Sequence, residues 1–221
     1  SQRRLLLDIS HEIRTPLTRL GLAVELARSG DDREAALDRI QREADRLNEL
    51  VGGLLQVTRA ESEAAAATRE RVDLSALLAR VAGDCALEAQ ARGGELQYDT
   101  PPPIHLTADP ELLRRAFENV TRNAIRYSTR VVLQLESRNG EAIVRIRDFG
   151  PGVPEKELSN LFEAFYRVRE EQQPADGFGL GLAIAQRAVE LHGGIISARN
   201  AKPGLEIEIR LPVQGAIAMS A

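Results

Sequence analysis

Residues 9–17 read Ile9-Ser10-His11-Glu12-Ile13-Arg14-Thr15-Pro16-Leu17, inside a longer run whose apolar residues Leu6, Ile9, Ile13, Leu17, Leu20, Val24 and Ala27 recur in alternating steps of three and four. That is the spacing of a helix that packs against other helices. At about 100° per residue, His11 falls roughly 200° from Ile9, on the side opposite the seam. Glu12 is its sequence neighbour and Thr15 lies one turn on, so a carboxylate and a hydroxyl flank an outward-facing imidazole. A general base beside a nucleophile has this form. Pro16 lacks an N–H and its ring crowds the carbonyl of Glu12, so a bend beside His11 is expected.

Working outward, residues 1–28 read as one helix. Ser29-Gly30 is its stop, and Asp31 with Glu34 forms a capping box that opens a second helix. That second helix carries Leu37, Ile40, Ala44, Leu47, Val51 and Leu54 at spacings of three and four. The two arms form a hairpin with apolar stripes that two helices alone cover poorly, and dimerising into a four-helix bundle is the economical solution. Gly52-Gly53 is unfavourable in a helix by roughly 1 kcal/mol per glycine and marks a soft point near the hairpin's end.

The chain has 221 residues, enough for two domains. A formal charge of -4, aromatics at 4% and no Trp give no basic footprint and little to stack on bases, which argues against a nucleic-acid partner. One cysteine, Cys85, precludes an internal disulfide and sits in an apolar Ala-rich stretch as a small buried hydrophobe, as expected in a cytoplasmic setting. No apolar run reaches the roughly 18 residues that span a bilayer, so no membrane contact is expected of these residues. Helical patterning is already under way at residue 1, which suggests a cut through a longer protein.

Residues 61–72 lack an apolar period and read as a connector. The pattern then changes class. A helix over 73–92 is followed by strands near 95–99 and 104–107, a helix from Asp109 (N-cap) and Pro110 (first turn) to Tyr127, and two alternating segments, 131–137 and 141–148, around the hairpin signal Asn139-Gly140. A helix over 180–192 and strands at 194–199 and 205–211 complete an α+β pattern, with a loose tail from Val213.

Asp148-Phe149-Gly150-Pro151-Gly152 ends a strand, and Gly177-Phe178-Gly179-Leu180-Gly181-Leu182 opens a helix. Glycine permits close backbone approach to a ligand, and a glycine-rich turn into a helix N-terminus offers N–H donors to phosphates. A strand-ending carboxylate can accept from the exocyclic amine of a purine. Asn119 and Asn123, four apart on one helix, present two amides on one face while Leu112, Leu113, Ala116 and Val120 take the other, and amide oxygens there suit Mg2+ or phosphate. His105, in a strand pattern, and His192, before Gly193-Gly194 at a helix end, read as structural. No cluster has zinc-site spacing.

His11–Leu17, Glu118–Ser128, Asp148–Pro154, Phe162–Arg167 and Gly177–Leu182 resemble, in order, the H, N, G1, F and G2 boxes of bacterial sensor histidine kinases, and the resemblance covers nearly the whole chain. The strings Ile9–Glu12, Arg14–Leu20 and Asn123–Ser128 look most like envelope-stress sensors of that family. The resemblance implies an α+β chain: a dimerisation and histidine phosphotransfer domain (1–61), a linker (62–72), an α/β sandwich ATP-binding domain of the histidine-kinase, gyrase and Hsp90 type (73–213), and a tail (214–221). It implies His11 as phosphoacceptor, Glu12 as the base that orients it, and Thr15 as a positioner of water in dephosphorylation of the partner. It further implies Asn123 as Mg2+ ligand with Asn119 in support, and Arg126 and Tyr127 near the nucleotide. Asp148 would take the adenine amine, Gly150 and Gly152 would shape the pocket, and Gly177, Gly179, Leu180, Gly181 and Leu182 would line the phosphates. Phe162, Phe165 and Arg167 would belong to a lid over ATP whose polar stretch, 169–176, suits a mobile flap. Two positions depart from the pattern: Ile13 stands where leucine is usual and Ala164 where proline is common.

The expected chemistry is transfer of the γ-phosphoryl group of ATP, with Mg2+, to His11 of a homodimer, then to an aspartate of a response-regulator receiver domain, in the cytoplasmic part of a longer inner-membrane sensor. Asparagine at 119, where ATP-hydrolysing relatives of the nucleotide fold place a glutamate, cannot activate water by taking its proton. Two other readings stay open on the sequence: an ATPase whose hairpin merely dimerises, and a module that binds nucleotide without turnover.

Overall fold

The computed structural model describes residues 2–30, 32–63, 69–99, 101–168 and 178–213, with side chains described except at 2–12, 46, 48–50 and 53–63. Helices α1 (Gln2–Ser29) and α2 (Arg33–Glu63) pack against each other as the expected hairpin. Gly30 turns the chain with φ +84°, a left-handed conformation that glycine adopts without steric cost. Asp31, half of the expected capping box, lies outside the described residues. Proline 16 is buried and does not interrupt α1, which stays helical on both sides of it.

The remainder is a two-layer α/β unit. A five-stranded mixed sheet runs in the order β2 (Glu95–Tyr98), β4 (Arg130–Arg138), β5 (Glu141–Asp148), β7 (Leu205–Pro212), β6 (Ile195–Asn200). The β2–β4 pair is parallel and the others are antiparallel. Helices α3 (Leu74–Ala91), α4 (Pro110–Tyr127) and α5 (Gly181–Leu191) cover one face. Alternation decides which side chains point to them. Val131, Leu133 and Leu135 of β4, Ala142, Val144 and Ile146 of β5, and Leu205, Ile207, Ile209 and Leu211 of β7 are all buried, and register sets Leu133, Ile146 and Ile207 in one row. Phe117 of α4, fully buried, is the largest side chain that fills the space between the layers. The opposite face carries Arg145, Glu208, Arg210 and Glu136 in ion pairs.

The residues read as a connector need one correction. Glu70–Asp73 forms a strand, β1, paired antiparallel with β3 (His105–Ala108), so the α/β unit begins inside the expected linker. Only Val72 of β1 is apolar and buried, which is too little alternation to register in the sequence; the pairing partner comes from a segment more than 30 residues on. Asp73 then caps α3, accepting from the N–H groups of Ser75 and Ala76. A 3-10 helix over Glu155–Asn160 was likewise unsignalled.

Elsewhere the local signals hold. Asn139 and Gly140 both have positive φ, the geometry of a tight hairpin between β4 and β5. Asp109 caps α4 with Pro110 in its first turn. Cys85 is fully buried, and burial pushes its thiol up to about 12, so it is an inert hydrophobe.

His192 is structural and joins three segments. Its Nδ1 lies 2.7 Å from the carbonyl of Ala188, and its Nε2 accepts the N–H of Asp109 at 2.9 Å, a pair of partners that requires Nδ1 to carry the proton. Arg69 reaches the carbonyl of Leu191 beside it at 2.6 Å. Burial, with the Arg69 charge nearby, holds this imidazole below its ordinary value, against the Ala188 carbonyl that favours the N–H. Above pH 6.5 the folded and unfolded forms are both neutral and the full contribution is present. As pH falls below 6.5 the unfolded chain takes up a proton that the folded one refuses, so stability declines until the folded imidazole itself titrates. Urea midpoints between pH 7.5 and 5 are expected to fall more steeply for the wild type than for His192→Gln; equal slopes would show that His192 carries no such linkage.

Candidate functional site

Between α4, the end of β5 and the start of α5 lies a cleft of about 600 Å3. It is lined by Asn119, Asn123, Arg126, Tyr127, Asp148, Gly152, Arg167, Gly179, Leu180, Gly181 and Leu182, so two glycine clusters and an asparagine pair distant in sequence meet in one place. The same wall includes Glu88, Arg92 and Leu161, which sequence reasoning passed over, and Arg122 and Val153, which lie inside the quoted motifs without an assigned role. Glu88 and Arg92 sit on α3 and at its C-cap without any motif to mark them; only the fold carries them to the cleft.

Asp148 occupies the last inward position of β5, in step with Ala142, Val144 and Ile146, and is 5% exposed. A buried carboxylate needs donors. Its Oδ1 accepts from Gly150 N–H at 2.9 Å and Leu205 N–H at 3.1 Å, which leaves Oδ2 for a ligand. Burial raises its pKa above the usual carboxylate value, and the two backbone N–H bonds and Arg147 oppose that rise. Gly150 does not line the cleft; it packs behind, where any Cβ would collide with the carbonyl of Tyr127.

On α4 the asparagines fall as their spacing predicts. Leu113, Ala116 and Val120 are buried on one side, and Asn119 and Asn123 look into the cleft. Asn119 Nδ2 is buried without a hydrogen-bond partner. Its side chain lies beside Gly181, whose Cα hydrogen faces the amide closely enough that a Cβ there would stand 3.7–3.8 Å away. Gly181 opens α5, and no side chain caps that N-terminus. The free N–H groups of a helix N-terminus and its positive dipole end therefore lie beside the orphaned amide, an arrangement suited to an anion.

The segment on the far wall is pinned at its two described ends. Phe165, at φ +65°, donates its N–H to the carbonyl of Gly179 at 3.0 Å, and Gly179 itself needs φ +70° where a Cβ would come 2.6 Å from the carbonyl of Tyr166. Phe165 does not line the cleft but joins Ala164 against Phe178, Leu180 and Ile184. Ile13 of α1 packs on that same cluster. The polar stretch 169–176 and Gly177 lie outside the described residues. His11 and Glu12 fall within α1, and the expected outward imidazole lies outside the described side chains; Thr15 is exposed on the same helix and does not line the cleft.

The chemistry of the donor set bears on metal binding. Among the described residues no three His, Cys, Asp or Glu side chains come together as a metal cage. Mg2+ keeps most of its shell as water and phosphate oxygen and takes only one or two protein oxygens, which the Asn119 and Asn123 amides can provide.

Asn200, at the end of β6, is a further residue that sequence reasoning missed. Its Oδ1 accepts Val153 N–H at 2.9 Å and its Nδ2 donates to Val153 O at 2.6 Å, tying the loop after Gly152 to the sheet. Asn200→Ala leaves both backbone groups without this partner and is expected to cost on the order of 1–3 kcal/mol in urea unfolding; an unchanged midpoint would show that water replaces the clamp.

Comparison with known proteins agrees with this geometry. Residues 1–63 match the family of His Kinase A (phospho-acceptor) domains, and 108–215 match the histidine kinase-, DNA gyrase B- and HSP90-like ATPases. The chain is 37% identical to the sensor histidine kinase CpxA of Escherichia coli K12 over 96% of its length, and spans 47% of that relative, about half. The mycobacterial sensor histidine kinase MprB is 32% identical with a TM-score of 0.57, covering 66% of this chain and 97% of that structure. Full-length ShkA in complex with AMPPNP is 28% identical with a TM-score of 0.70, covering 95% and 45%. A phosphoacceptor-type helical hairpin followed by a nucleotide fold of the gyrase and HSP90 class, with relatives of one kind along the whole chain, makes this protein a member of the sensor histidine kinase family.

Proposed function

We propose that the chain is the catalytic core of a two-component sensor histidine kinase, which moves the γ-phosphoryl group of ATP to His11 and then to an aspartate of a response-regulator receiver domain. The observation that carries this reading is the packing of Ile13, two residues from His11, against Phe178, Leu180 and Ile184 at the cleft wall. The helix that bears the acceptor docks on the element that would hold the donor. AMPPNP in the ShkA structure supports ATP as the nucleotide.

In this reading a neutral imidazole nitrogen of His11 attacks the γ-phosphorus. The N–P bond forms as the bond to the bridging oxygen of ADP breaks, and Glu12 accepts the proton from the other ring nitrogen. Asp148 Oδ2 accepts from the adenine amine, with Tyr127, Arg126 and Gly152 around the nucleotide. The N–H groups of Gly179, Leu180, Gly181 and Leu182, with Gly177 before them, receive the phosphates; Phe165 and Arg167 hold the wall above. Mg2+, held by Asn123 with Asn119 beside it, would offset phosphate charge. Thr15 would position the water that dephosphorylates the regulator.

Leu17, Leu22, Leu37 and Val51 are 50%, 58%, 52% and 46% exposed on the hairpin, apolar surface that a second copy would cover. A homodimer with a four-helix bundle is therefore the proposed working state. No described helix is long and apolar enough to cross a membrane. With about half of CpxA spanned, we assign the chain to the cytoplasmic side of a longer membrane sensor.

Incubation with γ-labelled ATP and Mg2+ is expected to give acid-labile, alkali-stable label on the protein, absent in His11→Gln. Free phosphate alone would favour an ATPase, and no turnover would favour a binding module. For the pocket, Asp148→Asn keeps an oxygen for the Gly150 and Leu205 N–H groups and removes a buried charge, so unfolding should shift by less than about 1 kcal/mol. Its amide offers the adenine amine a donor where an acceptor is needed, so calorimetric affinity for ATP should fall at least about tenfold. Unchanged affinity would remove Asp148 from base recognition.

A further inference from the structure

Phe149 sits between Asp148 and Gly150, is half-buried, and does not line the cleft. Two guanidiniums lie against its ring: Arg147 at 4.5 Å from the centroid and Arg130 at 4.6 Å. The backbone is held on the same side. Phe149 donates its N–H to Ser128 Oγ at 3.1 Å, and that hydroxyl also takes the N–H of Arg130 at 3.0 Å and donates to its carbonyl at 2.8 Å.

Arg147 differs from its neighbours on the outer face of the sheet. Arg145, Arg199 and Arg210 each pair with a carboxylate. Among the described residues Arg147 makes no ion pair; its guanidinium donates to the carbonyls of Ala201 at 3.0 Å and Pro203 at 3.4 Å, and its Nε is buried without a partner there. Those carbonyls belong to the turn that leads through Gly204 to Leu205. Gly204 packs directly on the Asp148 carbonyl, where no Cβ could fit. With no carboxylate in salt-bridge contact, this guanidinium is spent on an aromatic face and a turn, so its contacts hold geometry while its charge acts on Asp148 only from a distance.

Both donors to Asp148 Oδ1 are thus tied to this stack. Gly150 N–H follows Phe149, and Leu205 N–H follows the turn that Arg147 grips. We propose that Phe149, clamped by Arg130 and Arg147, is a positioning residue for Asp148, fixing the aim of its free oxygen and with it the preference for adenine over guanine nucleotides. This rests on the reading of Asp148 as the acceptor for the adenine amine. The phosphoryl step at His11 makes no use of the stack.

The test uses the whole chain, with ATP and GTP each titrated in Mg2+ and autophosphorylation measured across ATP concentration. Phe149→Ala is expected to raise KM for ATP about tenfold and narrow the ATP-over-GTP preference, leaving the rate at saturating ATP within about twofold. Phe149→Tyr, which keeps an aromatic face, should restore wild-type values, and Arg147→Gln should move KM in the same direction as Phe149→Ala. A wild-type KM and preference in Phe149→Ala would overturn the proposal, as would equal impairment of the Ala and Tyr variants, or a loss confined to the saturated rate. If the wild type binds ATP and Asp148→Asn does not, an unaffected Phe149→Ala refutes the positioning role alone; a wild type that retains no adenine nucleotide refutes both. Should Phe149→Ala fail to fold, Arg147→Gln against Phe149→Tyr makes the same comparison.

Discussion

The site depends on one carboxylate being kept where water would otherwise solvate it. Asp148 lies on the inner face of the sheet among apolar side chains, an unfavourable place for a charge unless donors are supplied. Gly150 and Leu205 supply them from two different connections, one following β5 and the other opening β7. Because both donors are backbone groups, the loop and the turn that carry them are fixed as a consequence. Gly150 and Gly204 follow from that same requirement, since a side chain at either would strike the carbonyl of Tyr127 or of Asp148 itself.

A second convergence builds the part of the cleft proposed to receive the phosphates. α4 and α5 pack side by side over the sheet, and the contact of Gly181 with Asn119 sets an uncapped helix N-terminus beside an amide that has no protein partner. Neither feature alone defines a site. Together they place unsatisfied donors and a helix dipole in the same cleft as the carboxylate. The packing of Ile13 on the α5 side of that cleft then links the helical hairpin to it.

Much of this was legible from local pattern. Period-two alternation in 141–148 marked a strand that ends in Asp148, the Asn139-Gly140 pair marked the hairpin, and Asp109-Pro110 marked the start of α4, because each is a short-range constraint on the backbone. Strand β1 was not legible, since four residues with one buried apolar side chain carry no periodicity and exist as a strand only through pairing with β3. Asn200 and Arg92 were missed for a related reason. A single polar residue in a strand, or at a helix end, looks the same whether it faces water or clamps a loop 47 residues away in sequence.

What the chain determines by itself is the kind and order of its parts: the seam that includes Ile13, the glycine-rich turns, the asparagines four apart, and the strand that ends in Asp148. These follow from side-chain period and backbone freedom, which act over a few residues. Tertiary structure alone decides that Leu205 donates to Asp148, that Arg147 grips the turn before it, and that Asn119 meets Gly181. Those contacts join residues far apart in sequence, and their geometry is set by sheet register and helix packing, which no local stretch encodes.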